Sequence, residues 1–200
     1  MQENHFLNYH LHVKRRIWRN ANDTIFFIYL KRKKIGGDKN SIMYEELLKS
    51  LEQQLSCEDF EKIKNHTLHL GIFSEPYLTY MLEGKKTIES RFSKNKIAPY
   101  NQIETDDIVI VKKSGGDIIA YFTIKEILFF KLNEKVIDEI KIKYNKQLCV
   151  DENFWNMKKN SNYATILFID KIVKLKPFPI HKKGMQTWVK LHKRKNGNCI

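Results

Sequence analysis

The sequence is poor in cysteine, and its few cysteines stand far apart. Cys57, Cys149 and Cys199 are the only three among 200 residues, and no two of them form a C-x-x-C pair. This pattern argues against a structural zinc site and against a disulfide framework, and it is typical of proteins of the reducing cytoplasm. We therefore expect a cytoplasmic location.

Long apolar runs are also absent. No stretch of the sequence approaches the ~20 apolar residues that a membrane-spanning helix needs. The N-terminus does not follow the pattern of a signal peptide, because the basic cluster Lys14–Arg16 precedes a stretch that is too short and too polar. We expect no association with a membrane.

Several motifs of nucleotide-dependent enzymes and hydrolases are missing. The sequence contains no P-loop, no G-x-G-x-x-G fingerprint and no G-x-S-x-G elbow, so it gives no support to a nucleoside triphosphatase or a serine hydrolase. His66 and His69 form an H-x-x-H pair, and His10 and His12 form an H-x-H pair, but neither pair has a third ligand nearby. We expect neither a metal ion nor another cofactor.

Positive charge is what the sequence has in excess. Its 36 Lys and Arg exceed its 23 Asp and Glu by 13. Residues 1–66 contain 12 basic and 9 acidic residues, whereas residues 67–200 contain 24 and 14. A basic surface favours polyanions as partners, because binding releases the counterions condensed on them. The larger, C-terminal part is therefore the candidate for contact with RNA or a nucleotide.

The periodicity of the apolar residues changes near Thr67. Residues 41–64 carry leucines at helical spacing, and Ser56 can cap a second short helix within them. Beyond Thr67 the pattern alternates as in strands, with a hairpin turn at Ser114–Asp117 and a helical insert over 134–144. The expected strands start near Leu68 and Thr87 and then cover Ile108–Val111, Ile118–Phe130, Tyr163–Leu175 and Gln186–Leu191. Short connections between so many strands predict a mixed β-barrel rather than β-α-β units.

One charged stretch of this region, Gly84–Arg91, reads G-x-K-x-x-E-x-R. We expect a helix over 75–83 directly before it. Ser74 can cap that helix, because its hydroxyl can accept a hydrogen bond from the first turn. Gly84 suits the left-handed conformation that ends a helix.

The strand that follows predicts a convergence of charges. Alternate residues of a strand share a face, so Thr87, Glu89 and Arg91 point the same way, with Lys86 at the turn before them. One interpretation is a solvated strip of ion pairs, because exposed pairs are common and contribute little. The other is a binding site, in which these charges line a concave surface and Glu89 holds the guanidinium of Arg91 in place.

This stretch resembles the signature of the ASCH domain, a family of the PUA-like superfamily of small β-barrels. The flanks fit as well: Leu68–Pro76 precedes the stretch, and a hairpin, a helical insert, a long apolar strand and the late pair Trp188–Val189 follow it. The resemblance covers roughly residues 67 to 192. It implies an α+β fold, a small PUA-like β-barrel with flanking helices, preceded by a helical extension.

The expected domain organisation follows from this resemblance. The three parts are an N-terminal extension that is partly helical and in part disordered (1–66), the ASCH domain (67–192) and a basic tail (193–200). Because the apolar pattern of the barrel is self-contained from Leu68 onward, a chain that starts at Met43 should stay folded. The apolar run Ile25–Leu30 fits either a short strand or a helix, and whether residues 1–42 fold stays open.

The resemblance implies a binding module, since PUA-like domains mostly bind nucleic acids or nucleotides. Arg91 and Lys86 would contact a phosphate or a base edge, Glu89 would accept from an exocyclic amine, and an aromatic ring would stack on an unpaired base. The expected ligand contacts are Phe73, Ser74, Lys86, Glu89, Arg91, Lys112, Lys113, Ser114, Tyr163 and Trp188. Core packing is the alternative for the tryptophan, and a solvated hairpin turn is the alternative for residues 112–114.

Two other functions are compatible with the resemblance. Some ASCH relatives hydrolyse an acetylated cytidine or cleave RNA. Here Lys86, with a pKa lowered by burial near Arg91, would be the base, and Glu89 an acid or base. In the small amidohydrolase members a threonine stands where this chain has Glu89, which is a departure from their mechanism. The third possibility is a protein-interaction module, whose partner the sequence does not identify.

Overall fold

A computed structural model of the chain describes residues 39–182 and 184–192. The predictions made for residues 1–38, including the run Ile25–Leu30, and for the basic tail 193–200 lie outside these residues. The helices are α1 (Lys39–Glu52), α2 (Cys57–Lys64), α3 (Tyr77–Leu82), α4 (Glu134–Leu148) and α5 (Glu152–Lys158). The strands are β1 (Leu68–Phe73), β2 (Ile88–Ser93), β3 (Ile108–Lys113), β4 (Ile118–Lys131), β5 (Tyr163–Phe178) and β6 (Trp188–His192).

The six strands form one sheet in the order β2-β5-β4-β3-β1-β6. Strands β1 and β3 run parallel, and every other neighbouring pair is antiparallel. The sheet curls so far that its two edges meet: Arg91 of β2 donates to the carbonyl of Ile72 in β1 and lies against the ring of Trp188 in β6. The result is a half-barrel with helices around it, which confirms the predicted α+β fold.

The inner face of the curled sheet carries one apolar core. Its buried members come from five strands, from α3 and from the loop between β2 and β3; they are Phe73, Leu78, Met81, Ile103, Val109, Val111, Ala120, Phe122, Ile124, Leu167 and Trp188. The alternation of β-strand side chains sends the neighbouring residues, such as Leu70 and Ile110, to the outer face. The charged residues of β2 belong to the inner face and lie beside this core.

Two further cores cover the outer face. At one end α1 and α2 pack Leu47, Leu51 and Ile63 against Leu68 and Ile110. At the other end α4 and α5 cover the extensions of β4 and β5 and the outward side chains of β2. The expectation that the apolar pattern is self-contained from Leu68 onward is therefore wrong, because buried leucines of α1 complete the core behind β1 and β3.

The ends of the helices test the predictions about caps. Ser56 accepts from the backbone N–H of Asp59 at the start of α2, as predicted. The predicted cap of α3 is wrong: Ser74 does not cap it, because the carboxylate of Glu75 accepts from both the backbone N–H and the hydroxyl of Thr79. Gly84 adopts a φ of 73°, which confirms the left-handed turn between α3 and β2.

The α-helices of the described ranges do not have the properties of membrane spans. None of them combines the length and the apolar character that crossing a bilayer demands.

Candidate functional site

The charges of β2 lie on the inner face of the half-barrel. The strand pairs with β5 so that Glu89 is opposite Leu167 and Arg91 is opposite Thr165. Its apolar side chains, Ile88 and Phe92, pack outward under α4 and α5. Alternation thus places the two charged residues where the sequence pattern predicted them, on one face, and the apolar residues on the other.

Lys86, Glu89 and Arg91 form one ion cluster. The Oε2 atom of Glu89 lies 3.5 Å from Nζ of Lys86, and its Oε1 atom lies 2.9 Å from Nε of Arg91. Only 3% of the Lys86 side chain, 9% of the Glu89 side chain and 18% of the Arg91 side chain is exposed. The predicted contact between Glu89 and Arg91 is confirmed, and the interpretation as a solvated strip is wrong. Two cations share one carboxylate in a nearly buried place.

The position of Lys86 is fixed by the ends of two helices. Its backbone N–H donates to Tyr80 O in α3, and its ammonium donates to Leu148 O in the last turn of α4 at 2.9 Å. A cation is favoured there, because the last carbonyls of a helix carry its partial negative charge. Burial nevertheless lowers the pKa of Lys86, although the carboxylate of Glu89 opposes that effect.

The guanidinium of Arg91 lies between two aromatic rings. Its Cζ atom is 4.9 Å from the centroid of Phe73 and 4.9 Å from that of Trp188. Nη2 donates to Ile72 O at 3.0 Å, while the N–H of Nε points away from its nearest acceptor and makes no hydrogen bond. Nη1 makes no hydrogen bond within the described ranges and is not among their buried unpaired atoms. The guanidinium of Arg91 is therefore held by one hydrogen bond and two rings, with 18% of the side chain exposed.

A buried histidine holds one of these rings. His69 of β1 is completely buried, which corrects the expectation of the solvent side. Its Nδ1 atom accepts from Nε1 of Trp188 at 3.2 Å, and its Nε2 atom lies 3.0 Å from Oδ2 of Asp107. An indole N–H can only donate, so the proton of the imidazole lies on Nε2 and is donated to the carboxylate. The chain of contacts from Asp107 to Arg91 was missed in the sequence because its members are far apart along the chain.

Gly71 leaves room for the two rings. A Cβ atom at this position would lie 2.6 Å from the ring of Phe73 and 3.1 Å from that of Trp188. Any side chain there would displace one of the walls of Arg91. A glycine in the middle of a buried strand often marks such a close approach, and this is the signal by which the sequence could have indicated the site.

The other predicted contacts fall into two groups. Ser74, Lys113 and Ser114 lie together at the end of β1, because Ser114 N–H donates to Phe73 O and Lys113 pairs with Glu75 at 3.3 Å. These residues form an exposed border next to Phe73.

Lys112 and Tyr163 lie elsewhere. The ammonium of Lys112 donates to Gly116 O in its own hairpin and is close enough to Lys182 to affect its pKa, so it turns away from the cluster. Tyr163 is one row further along the inner face than Arg91, where it packs against Tyr100. The structure thus brings Phe73, Lys86, Glu89, Arg91 and Trp188 into one site, with Ser74, Lys113 and Ser114 beside it.

Chemically, this site offers donors and rings rather than a metal centre. Across the described part of the chain, no three His, Cys, Asp or Glu side chains are placed to hold a metal ion. The guanidinium side chain of Arg91 is 18% exposed, while the rings of Phe73 and Trp188 beside it are buried at 4% and 5% exposure. Such a combination fits an anion or a planar carbonyl-bearing ring.

Comparisons with known proteins agree with this fold. A family model described as the ASCH domain matches residues 72–178. The crystal structure of ASCH from Zymomonas mobilis is 12% identical with a TM-score of 0.52, covering 64% of this chain and 89% of that one. A variant of the same protein with a tyrosine replaced by phenylalanine aligns with the same TM-score and covers 93% of that chain. The ASCH domain from Lactobacillus crispatus JV V101 is 14% identical, with 70% of this chain and 98% of that one covered at a TM-score of 0.40. No curated protein sequence matched the chain.

Proposed function

Because the chain belongs to the ASCH domain family of PUA-like proteins, we propose that it is a module that binds RNA or a nucleotide at the Arg91 site. The ligand would contact the partly exposed guanidinium of Arg91, beside the buried rings of Phe73 and Trp188. A phosphate oxygen or the carbonyl of a base would accept from this group.

The observation that carries the proposal is the excess of positive charge in the ion cluster. Within the described part of the chain, Lys86 and Arg91 share the single carboxylate of Glu89, and all three side chains are at least four-fifths buried. A buried charge without a partner is costly, so an anionic ligand would neutralise the second cation of the cluster. The net charge of +13 would add attraction at longer range.

Titration with a fluorescent single-stranded RNA of about eight nucleotides, in salt between about 50 and 200 mM, tests the proposal. We expect Arg91→Ala to weaken binding by about 1–3 kcal/mol if a base edge is read. Arg91→Lys should restore little of it, because an ammonium lacks the planar fork that the two rings hold.

The control is Lys135→Ala, which removes one exposed cation from α4. It should change the salt dependence slightly and leave the affinity nearly intact. Circular dichroism of each variant must show the parent's fold before affinities are compared. Equal affinities of Arg91→Ala and the parent for the RNA and for free nucleotides would contradict the proposal.

One observation favours a hydrolase as the second candidate. Burial lowers the pKa of Lys86, and the carboxylate of Glu89 lies 3.5 Å from its ammonium. A lysine that loses its proton more easily can act as a base, and the carboxylate beside it as an acid or base. The substrate class would be RNA or an acylated nucleoside.

Turnover distinguishes the two candidates. Under the hydrolase proposal, Lys86→Met and Glu89→Gln abolish release of acid from an acetylated cytidine, or of fragments from RNA. Under the binding proposal, the parent turns over neither substrate, and Glu89→Gln retains part of the affinity. The hydrolase proposal fails if the parent shows no turnover of either substrate between pH 6 and 10.

A further inference from the structure

Three aromatic side chains form a cluster outside the hydrophobic cores. The ring of Tyr100, in the loop between β2 and β3, lies 5.6 Å from that of Phe129 in β4 and 4.9 Å from that of Tyr163 in β5. None of the three belongs to a buried core, and Phe129 is 38% exposed. We call these three residues the aromatic platform.

The aromatic platform continues the inner face on which Arg91 lies. The strand register places Arg91 of β2, Thr165 of β5 and Phe129 of β4 in one row. Tyr163 stands in the next row, two residues along β5, which is a distance of about 7 Å. A ligand that extends from Arg91 along the β-strands therefore contacts the aromatic platform directly next to Arg91.

The row of Arg91, Thr165 and Phe129 contains two buried polar atoms that make no hydrogen bond with another described residue. Nε of Arg91 and Oγ1 of Thr165 are the buried side-chain atoms that make no hydrogen bond within the described residues, and they belong to one cross-strand pair. Thr165 is 1% exposed. Nε of Arg91 still has the carboxylate of Glu89 at 2.9 Å, so in the described part of the chain the hydroxyl of Thr165 is the group without a polar partner. Buried polar groups normally have partners, and this one points to a ligand that supplies it.

The charge beside the platform is positive. Nζ of Lys96 lies 5.7 Å from the centroid of Tyr163, within the range of a cation–π contact. Lys94 and Lys131 are exposed at the same end of the strands, and neither they nor Lys96 forms an ion pair within the described ranges. Aromatic faces bordered by free cations are the arrangement that binds single-stranded nucleic acid.

We propose that the aromatic platform is a base-stacking subsite for the next nucleotide of a single strand bound at Arg91. Phe129 or Tyr163 stacks on that base, and Lys96 contacts a phosphate. The hydroxyl of Thr165 forms a hydrogen bond with the RNA between Arg91 and the aromatic platform. This inference rests on the proposed function. The ligand class is single-stranded RNA rather than a free nucleotide, because only a strand longer than one residue covers both sites.

The test compares a uridine mononucleotide with a single-stranded oligouridine of about eight residues, measured by competition and by fluorescence anisotropy. We expect Phe129→Leu and Tyr163→Leu each to weaken binding of the oligonucleotide about 10-fold, the size of a lost base stack. Tyr163→Phe should retain the parent's affinity, because it keeps the ring. Binding of the mononucleotide should not change in any of the three.

The chain supplies matched controls on α2. There Nζ of Lys64 lies 5.4 Å from the ring of Phe60, an arrangement like that of Lys96 and Tyr163 on another part of the surface. Phe60→Leu and Lys64→Ala should leave both affinities unchanged, while Lys96→Ala should weaken only the oligonucleotide. This comparison separates a local contact from a general loss of charge or of ring surface.

The outcomes also separate the two proposals. If the parent binds neither ligand, the proposed function fails and this inference falls with it. If the parent binds both equally, or if the leucine variants bind the oligonucleotide like the parent, only the platform is overturned. If those variants instead dissociate an oligomer detected by light scattering, the platform is a contact between protein copies and the inference is wrong.

Discussion

Lys85 and Lys86 are neighbours in the sequence, yet they occupy opposite environments. Lys85 pairs with Glu83 at 2.7 Å, and 65% of its side chain is exposed. Lys86 pairs with Glu89 at the longer distance of 3.5 Å, but only 3% of its side chain is exposed. The shorter pair is surrounded by water and contributes little, whereas the longer one lies where charges interact strongly.

The pKa values of the two lysines show the same contrast. The hydrogen bond that Lys85 donates to the carboxylate of Glu83 raises the pKa of Lys85 above the ordinary value of a lysine. Burial lowers the pKa of Lys86, and the attraction of Glu89 only partly compensates. The comparison teaches that burial, and not the distance to the partner, decides which ammonium is chemically unusual.

The largest effect should come from removing the carboxylate of the buried cluster. Glu89→Gln leaves Lys86 and Arg91 as buried charges without a counterion, and breaking such a buried pair costs about 3–5 kcal/mol of unfolding free energy. Urea denaturation measures this cost. Glu83→Gln, the matched change in the exposed pair, should leave the midpoint unchanged. Equal midpoints for the two variants would refute the contrast.

The sequence predicted those parts of the site that depend on local spacing. The turn at Gly84 and the shared face of Glu89 and Arg91 follow from residues within one helix and one strand, and both are present. The general fold followed from the change of periodicity near Thr67 in the same way. Local patterns are readable because they require no knowledge of how the sheet curls.

The parts that could not be predicted depend on contacts between distant residues. Lys86 donates to a carbonyl 62 positions away, and Trp188 donates to a histidine 119 positions away. The first contact joins the turn before β2 to the end of α4, and the second joins the neighbouring strands β1 and β6, so both depend on the order of the elements in the fold. The failed cap at Ser74 has a different reason, since its neighbour Glu75 has a charged acceptor that competes for the same helix end.

A smaller loss of stability is expected at the buried histidine. His69→Phe keeps a ring of similar shape but removes the acceptor of Trp188 and the donor to Asp107. Leaving buried polar groups without partners costs about 1–3 kcal/mol. Thermal unfolding measures the loss, and the indole N–H resonance of Trp188 should shift because its hydrogen bond is gone. If His69 only filled space, the indole N–H resonance of Trp188 would not shift in the Phe variant.

His66 supplies a half-buried counterpart for this prediction. Its Nδ1 atom lies 2.5 Å from the carbonyl of Lys62 at the end of α2, in contact with solvent. His66→Phe should change the melting temperature little and should not move the Trp188 resonance. If His69→Phe and His66→Phe have the same melting temperature, the burial of His69 does not determine the loss of stability.

A pH-dependent effect, smaller again, should distinguish Lys86 from its surroundings. In the unfolded chain a lysine has a pKa of about 10.4, and in the folded protein the pKa of Lys86 is lower. Between these two values the unfolded chain binds more protons, so the unfolding free energy rises with pH. The parent should therefore gain stability relative to Lys86→Met from pH 7 towards 10. Melting temperatures of the two proteins in matched buffers measure this gain, and a constant difference would contradict it.

The smallest effect is expected from the neighbouring lysine. Lys85→Met removes an ammonium that is mostly in water, so the melting temperature at neutral pH should equal that of the parent. Because the pKa of Lys85 is raised, the stability that it contributes is present at neutral pH and is lost only above the unfolded value of about 10.4. From pH 7 to 10 the difference in melting temperature between the parent and Lys85→Met should thus stay constant. The corresponding difference for Lys86→Met should change over the same range. Added salt should abolish any residual difference for Lys85, since salt screens exposed charges and affects buried ones much less. If Lys85→Met shows the same rise with pH as Lys86→Met, then position along the chain, and not burial against the end of α4, sets the behaviour of this pair.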